Sequence, residues 1–307
     1  MIGVLLMAYG TPRSLDEVKA YFTHIRRGRE PTEAEVEDLK ERYRDIGGVS
    51  PLTEITESQA KGLQEMLERK EAQRFRVSLA MKHSPPFIPE VVERMIRDGI
   101  REMVALVLAP HESRMIIDDY MRYARDILEG HPNVKAHVIR TWHLNPNYLS
   151  ALRRRIQDQL VAFGQPGAEH TMVLFTAHSL PEKILATQDP YPARLEETAR
   201  ALAEHLSLPH WRRAYQSAGR TSFPWLGPDL MGVLKEVKAE GFFQVLVVPI
   251  GFVADHLEVL YDIDIEAQEK ARELGLVLRR TESLNTDPEF LEGLAEEVLQ
   301  VTASVPR

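Results

Sequence analysis

The chain has 307 residues, of which 44% are hydrophobic, and 38 Lys and Arg against 46 Asp and Glu leave a formal charge of −8. That length holds two domains or one large one with substantial cores, and the acidic balance argues against general nucleic-acid binding while leaving room for a local basic patch. There is no cysteine, which excludes structural disulfides, thiolate zinc sites and cysteine-held iron–sulfur clusters.

The N-terminal run "MIGVLLM" has no basic n-region and is too short for a signal peptide or a membrane span. A cytoplasmic protein with no transmembrane segment is expected. From there short apolar runs alternate with longer amphipathic segments. Strands are predicted over 2–8, 75–82, 102–108, 135–140, 171–176, 211–216, 243–250 and 276–280. Helices are predicted over 14–27, 33–45, 53–70, 88–98, 115–129, 147–163, 191–205, 228–239, 254–274 and 287–303. Such alternation implies βαβ units and mainly parallel, buried sheets, hence an α/β fold.

A weak internal repeat divides the chain. "VLLMAYGTP" (4–12) can be laid on "VLFTAHSLP" (173–181), which sets Tyr9 opposite His178, and "VALVLAPH" (104–111) then matches "VLVVPIGF" (245–252) later in each half. The loop around Leu144-Asn145-Pro146-Asn147 is the natural cut. The expectation is two similar halves, 1–144 and 145–307, with the last helix able to pack back onto the first half. In parallel sheets ligands bind outside the carboxyl ends of strands, so both Tyr9 and His178 are placed where a ligand cleft forms.

Three groups of residues could carry chemistry. In "GFVADHLEVLYDIDIE" (251–266), Asp255, Glu258, Asp262, Glu266 and Glu269 share one arc of about 80° on a regular helix. Such a stripe is ordinarily a solvated face. Here, however, carboxylates four residues apart repel each other with no interleaved Lys or Arg before Lys270, and the stripe begins at a strand end. A row of oxygens there suits a cation or a proton path. His178 in "FTAHSLPEK" is a second strand-end group, able to ligate a borderline metal or take a proton near neutral pH, although a lone His is more often structural.

The third group is "HIRRGR" (24–29), with Arg42 and Ser50 in "ERYRDIGGVSPL". Arg26, Arg27 and Arg29 suit either a helix C-terminus or an anionic ligand held in bidentate fashion. Neither "AYGTP" nor "DIGGVSP" matches a P-loop or a dinucleotide fingerprint, so carboxylates on an organic ligand fit better than phosphate. Lys82 and His83, His111 and Glu112, Tyr120, and the stiff loop "SFPWLGPDL" (222–230) with Trp225 add strand-end polar or aromatic groups; Trp225 reads equally well as core.

Taken together, "LLMAYGTP", "IRRGR", "IGGVSPL", "LAPHES", "TAHSLPEK", "WLGPD" and "GFVADHLEVLYDID" resemble the ferrochelatase family, enzymes that insert Fe²⁺ into a porphyrin in haem biosynthesis. The resemblance implies two Rossmann-like halves with parallel four-stranded sheets, chelatase-like, enclosing a porphyrin cleft. It implies that His178 and Glu258 form the pair at the metal-insertion site, with Tyr9 near the metal on the other face of the ring. Asp262 and Glu266 would continue an acidic ladder outward, with Arg42 near its outer end, where a divalent cation such as Mg²⁺ could sit. Arg26, Arg27, Arg29 and Ser50 would border the porphyrin and its propionates, and Tyr120 would line the cleft. Lys82, His83 and Trp225 are less firmly assigned. The family's acidic helix carries a π-turn.

Tyr9, where protoporphyrin IX enzymes typically carry Met, resembles the coproporphyrin III type of Gram-positive bacteria, and the absence of cysteine fits the family's cluster-free members. With the ending "VTASVPR" no membrane-anchoring extension is expected. Coproporphyrin III has four propionates, which suits the arginines. Fe²⁺ is then a substrate, and a monomer that briefly contacts the next haem-pathway enzyme is expected. Alternatives are a protoporphyrin IX ferrochelatase, a chelatase inserting Co²⁺ or Ni²⁺ into another tetrapyrrole, a non-catalytic haem or porphyrin carrier, and a two-domain binding protein for a small anion.

Overall fold

The structure, a computed structural model, describes residues 1–164, 168–219 and 221–305. The end of the C-terminal stretch noted above, Pro306 and Arg307, lies outside the described residues. The chain forms two compact units. Unit 1 comprises Met1–Trp142, Ala254–His256 and Asn285–Arg307; unit 2 comprises His143–Val253 and Leu257–Leu284.

Unit 1 is built on four parallel strands, β1 (Ile2–Ala8), β2 (Phe75–Met81), β3 (Glu102–Val107) and β4 (Lys135–Ile139), in the order β2-β1-β3-β4. Every residue of β1 is buried, as a central parallel strand requires, because crossover helices cover both faces of such a sheet. Those helices are α1 (Val18–Ile25), α2 (Glu33–Asp45), α3 (Leu52–Lys70), α4 (Ile88–Arg97) and α5 (Arg114–Glu129). Local chemistry fixes their starts. At α2 the Thr32 hydroxyl accepts from Glu35 N at 3.2 Å while Thr32 N donates back to Glu35 at 2.7 Å, a capping box. At α5 the Ser113 hydroxyl accepts from Ile116 N at 3.3 Å.

Unit 2 repeats the plan. After α6 (Pro146–Phe163) come β5 (Thr171–His178), α7 (Tyr191–His205), β6 (Trp211–Gln216), α8 (Leu230–Ala239) and β7 (Gln244–Val248). A short α9 (Leu257–Leu260), a π-helical turn (Asp262–Ala267) and α10 (Gln268–Leu274) lead into β8 (Val277–Arg280). The strand order β6-β5-β7-β8 is that of unit 1. All eight strands and the pattern of helices agree with the sequence reading, and two parallel four-stranded sheets make the α/β class plain. The final helix, α11 (Pro288–Val301), belongs to unit 1 and packs there on α3 and β4.

Two details differ from expectation. β5 runs on through His178 rather than ending at 176, because Ala177 and His178 still pair with Tyr215 and Gln216. The helix predicted over 254–274 begins only at Leu257. Asp255 stands before it, tied to Asn285 by two hydrogen bonds of 2.9 and 2.8 Å in unit 1, so it is not part of the acidic stripe. Among the described residues no helix is long and apolar enough to cross a membrane.

In each sheet the chain leaves the central strand on one side and returns on the other. The reversal point lies at the carboxyl ends of β1 and β3 in unit 1, and of β5 and β7 in unit 2. Tyr9 follows β1 directly, and His178 closes β5. Both therefore stand at topological switch points, where open α/β sheets bind ligands.

Candidate active site

In unit 1, β2 continues alongside the end of β1: Lys82 N donates to Ala8 O and His83 N to Tyr9 O, both at 2.9 Å. This brings Lys82 and His83 beside the Tyr9 ring, which remains 40% exposed. The Lys82 ammonium lies 5.5 Å from the Tyr9 ring centre and 4.9 Å from that of Tyr120, which α5 supplies. It is paired with Asp119 at 2.6 Å. The other oxygen of Asp119 faces Arg122 at 2.7 Å and Arg27 at 3.4 Å.

One carboxylate thus answers three cations, and the cluster carries surplus positive charge. Burial lowers the proton affinity of Lys82, while Asp119 opposes that loss. For Asp119 burial pushes upward, but the bond and charge of Lys82, with Arg122 and Arg27, hold its pKa below the ordinary carboxylate range. His83 packs 4.5 Å from the Tyr9 ring and lies with Nδ1 2.9 Å from Nδ1 of His24. Burial first, then the Lys82 charge, pushes His83 down to about 3, so it is neutral at physiological pH.

The other basic residues are engaged differently. Arg26 closes α1 and pairs with Glu35 at 2.8 Å, the helix-terminal arrangement its sequence position allowed. Arg27 adopts a left-handed φ of 56°, which separates it from its neighbour and leaves it directed to Asp119. Arg29 is exposed. Arg42 faces Asp38 one turn earlier on α2, at 3.7 Å. Ser50 is buried, and its hydroxyl accepts from Leu52 N at 3.3 Å, as a turn residue does.

In unit 2, His178 Nε2 lies 3.4 Å from Glu258 Oε1. Its Nδ1 is hydrogen-bonded to the Ser179 carbonyl. A carbonyl only accepts, so Nδ1 carries a proton and Nε2 is the nitrogen left to titrate or to ligate. Tyr191 Oη donates to the His178 carbonyl at 2.9 Å and fixes the backbone beneath the ring. Burial by itself would lower the imidazole pKa. The adjacent Glu258 carboxylate outweighs it, and with the bond to Ser179 and the charge of Asp262 it pushes His178 up to about 9. At neutral pH the pair is an imidazolium facing a carboxylate.

Glu258 sits in the first turn of α9, and Gln216 Nε2 grips its backbone carbonyl at 2.7 Å. The chain then widens: Glu266 N reaches back five residues to Tyr261 O at 3.0 Å, the π-turn that the family resemblance implied. Within that turn Ile263 and Ala267 are buried in the unit 2 core. Asp262 is buried and receives a hydrogen bond from the Ser217 hydroxyl. Asp264 is turned aside into a bidentate pair with Arg280 of β8, both bonds 2.8 Å. Asp264 is thereby engaged outside the expected ladder of Glu258, Asp262 and Glu266. Glu269 on α10 is largely exposed and only 3.9 Å from Arg272. The Trp225 ring centre is 6.3 Å from that of His178, with Phe223 stacked beyond it at 5.9 Å. Among the described residues no three His, Asp or Glu side chains converge into a ready-made metal site.

Sequence reasoning missed Asp119, Arg122, Gln216 and Ser217. Asp119 and Arg122 stand at i, i+3 spacing and so share a helix face with each other, but nothing in that spacing points to Lys82. Gln216 and Ser217 close a predicted strand in "YQSAG", the position that flags Lys82 and His83 in the other half.

The architecture and strand-end sites define a chelatase-like α/β protein. In fold it is similar to the sirohydrochlorin chelatase SirB of Bacillus subtilis subspecies spizizenii in complex with cobalt, with a TM-score of 0.61, 13% identity, and 99% of this chain and 96% of that one covered. A family model described as Ferrochelatase matches residues 1–302. The ferrochelatase of Herpetosiphon aurantiacus is 46% identical over 290 residues, 94% of this chain and 95% of that one. The coproporphyrin III ferrochelatase of Geobacillus thermodenitrificans is 44% identical over 301 residues, 97% and 95% of the two chains. The chain belongs to the ferrochelatase family, the enzymes of haem biosynthesis that insert metal into a porphyrin.

Proposed function

We propose that the chain inserts Fe²⁺ into coproporphyrin III to give coproheme, with His178 and Glu258 at the ring centre. The observation that carries the assignment of the reacting pair is the 3.4 Å approach of His178 Nε2 to Glu258, with Nδ1 fixed by Ser179. The reaction releases two pyrrole protons as Fe²⁺ enters. A resting imidazolium cannot accept either of them. The positive charge of approaching Fe²⁺ disfavours the Nε2 proton, so metal and proton compete for that nitrogen. Once the resting proton has left, the imidazole and the Glu258 carboxylate are two acceptors for two protons, with Asp262 and Glu266 as the next stations. Glu266 with water ligands suits an outer cation such as Mg²⁺.

The four-propionate substrate is supported by the surplus positive charge around Asp119, by Tyr9 in "AYGTP" and by the names of the relatives. In this reading Arg27, Lys82 and Arg122 attract propionates, with Arg26, Arg29 and Ser50 at the porphyrin's border and Tyr120 lining its site. In the same reading Tyr9 supplies a phenolate oxygen able to ligate iron in the product. Arg42 is assigned to the outer end of the acid ladder. The protein acts as a cytoplasmic monomer and passes its product to the next enzyme of the pathway. Anaerobic insertion kinetics with Fe²⁺ and each porphyrin test this. Preferential metallation of coproporphyrin III supports the proposal. Equal or better use of protoporphyrin IX removes the substrate assignment, and binding of both without metallation removes the enzyme.

A further inference from the structure

The loop that follows β6 performs a task that the reaction alone does not assign. Gln216 is the sheet partner of His178, and its carbonyl accepts from Ser179 N at 2.7 Å. Its side chain holds the Glu258 carbonyl at 2.7 Å. The next residue, Ser217, has a left-handed φ of 60°, a conformation uncommon for any residue but glycine, asparagine and aspartate. In that conformation its hydroxyl donates to Oδ2 of the buried Asp262. Two consecutive residues therefore tie the histidine strand to the backbone of Glu258 and to the carboxylate of Asp262. A glycine would fit the backbone with less strain, yet the position carries a hydroxyl, and that hydroxyl is spent on Asp262. A serine donor leaves its lone pairs free to accept, so it orients the carboxylate without removing its capacity for a proton.

We propose that Ser217 is a positioning residue for metal insertion, which holds the Asp262 carboxylate in line with the His178–Glu258 pair. The proposal rests on the reading of Asp262 as the next proton station. It acts on turnover, and it leaves porphyrin binding alone. Ser217→Gly separates hydroxyl from backbone, because glycine relieves the positive φ while deleting the donor. The test compares the wild-type protein with S217G, Asp262→Asn and the double variant. Insertion of Fe²⁺ is followed anaerobically into whichever of the two porphyrins the wild type metallates, with thermal melts alongside. The expected result is a kcat for S217G about tenfold lower, an unchanged KM for porphyrin, and a melting temperature no lower than wild type. The double variant should be no slower than D262N, since both changes remove one interaction. Wild-type turnover by S217G with an impaired D262N overturns the positioning role alone. Fully multiplicative losses in the double variant do the same. Normal turnover by D262N removes Asp262 from the proton path, and the role of Ser217 falls with it.

Discussion

Replacing Glu258 by Gln keeps the shape of the side chain and removes the charge that faces His178. In the native protein burial opposes protonation of His178, and the carboxylate overcomes it to set the pKa at about 9, against an ordinary 6.5. That difference is equivalent to about 3 kcal/mol in favour of the imidazolium. The imidazole keeps 30% and the carboxylate 35% of its side-chain surface in water, so screening reduces the effective value to about 2 kcal/mol. Because the folded pKa is raised, the stabilisation is full below pH 6.5 and is lost as pH rises through about 9. In E258Q the burial remains while its main opponent is gone, so His178 should titrate near or below 6.5 and be neutral at pH 7.5. Ring-carbon NMR titration, with the His178 resonance assigned from the His178→Ala spectrum, reads this directly. Insertion should also fall sharply, because one of the two proton acceptors has been removed. A wild-type His178 that titrates near 6.5, or one whose pKa is unmoved by E258Q, would refute the argument.

His178→Ala should abolish insertion yet retain porphyrin binding, measured as quenching or shift of the porphyrin spectrum; normal turnover would take His178 out of the reaction. Asp119→Ala strips the partner from a mostly buried Lys82 and from Arg27 and Arg122. It should cost about 2–3 kcal/mol of stability in chemical denaturation, and a change within 0.5 kcal/mol would show the pair to be structurally idle. Lys82→Met should raise the KM for coproporphyrin III more than that for protoporphyrin IX, with the gap shrinking at high salt as screening grows. Equal effects on both substrates would separate Lys82 from propionate recognition.

The inner strands β1, β3, β5 and β7 were legible because each is a short, mostly apolar run and a buried parallel strand has no alternation to disguise it. His178 and Glu258 were legible because they stand at strand and helix ends, where side chains project beyond the sheet. What the sequence did not disclose was partnership. Asp119 meets Lys82 across 37 positions and Ser217 meets Asp262 across 45, and no periodicity encodes such pairs. The regular-helix arc also misplaced Asp255, because "GFVAD" looks helix-compatible although Asn285 holds Asp255 by two bonds outside the helix. Arg26 was read as a ligand group or a helix terminus, and its bond to Glu35 shows how a helix end engages it.

The two units answer the same topological position with opposite chemistry. At the unit 1 switch point the residues that close β2 are Lys82 and His83, and the cations around Asp119 outnumber it three to one. At the unit 2 switch point the residues that close β6 are Gln216 and Ser217, and they hold the carboxylates of Glu258 and Asp262 in place, by backbone and by side chain respectively. The two units thus hold charge of opposite sign at these positions, a contrast that a net value of −8 averages away. A reaction that takes an anionic macrocycle and a divalent cation needs both signs, and needs them apart, since mixed together they would neutralise each other in ion pairs. Asp264 illustrates the point within one turn of helix. Its bidentate pairing with Arg280 engages both of its oxygens, whereas the Glu258 carboxylate faces the His178 imidazole and Asp262 takes the Ser217 hydroxyl.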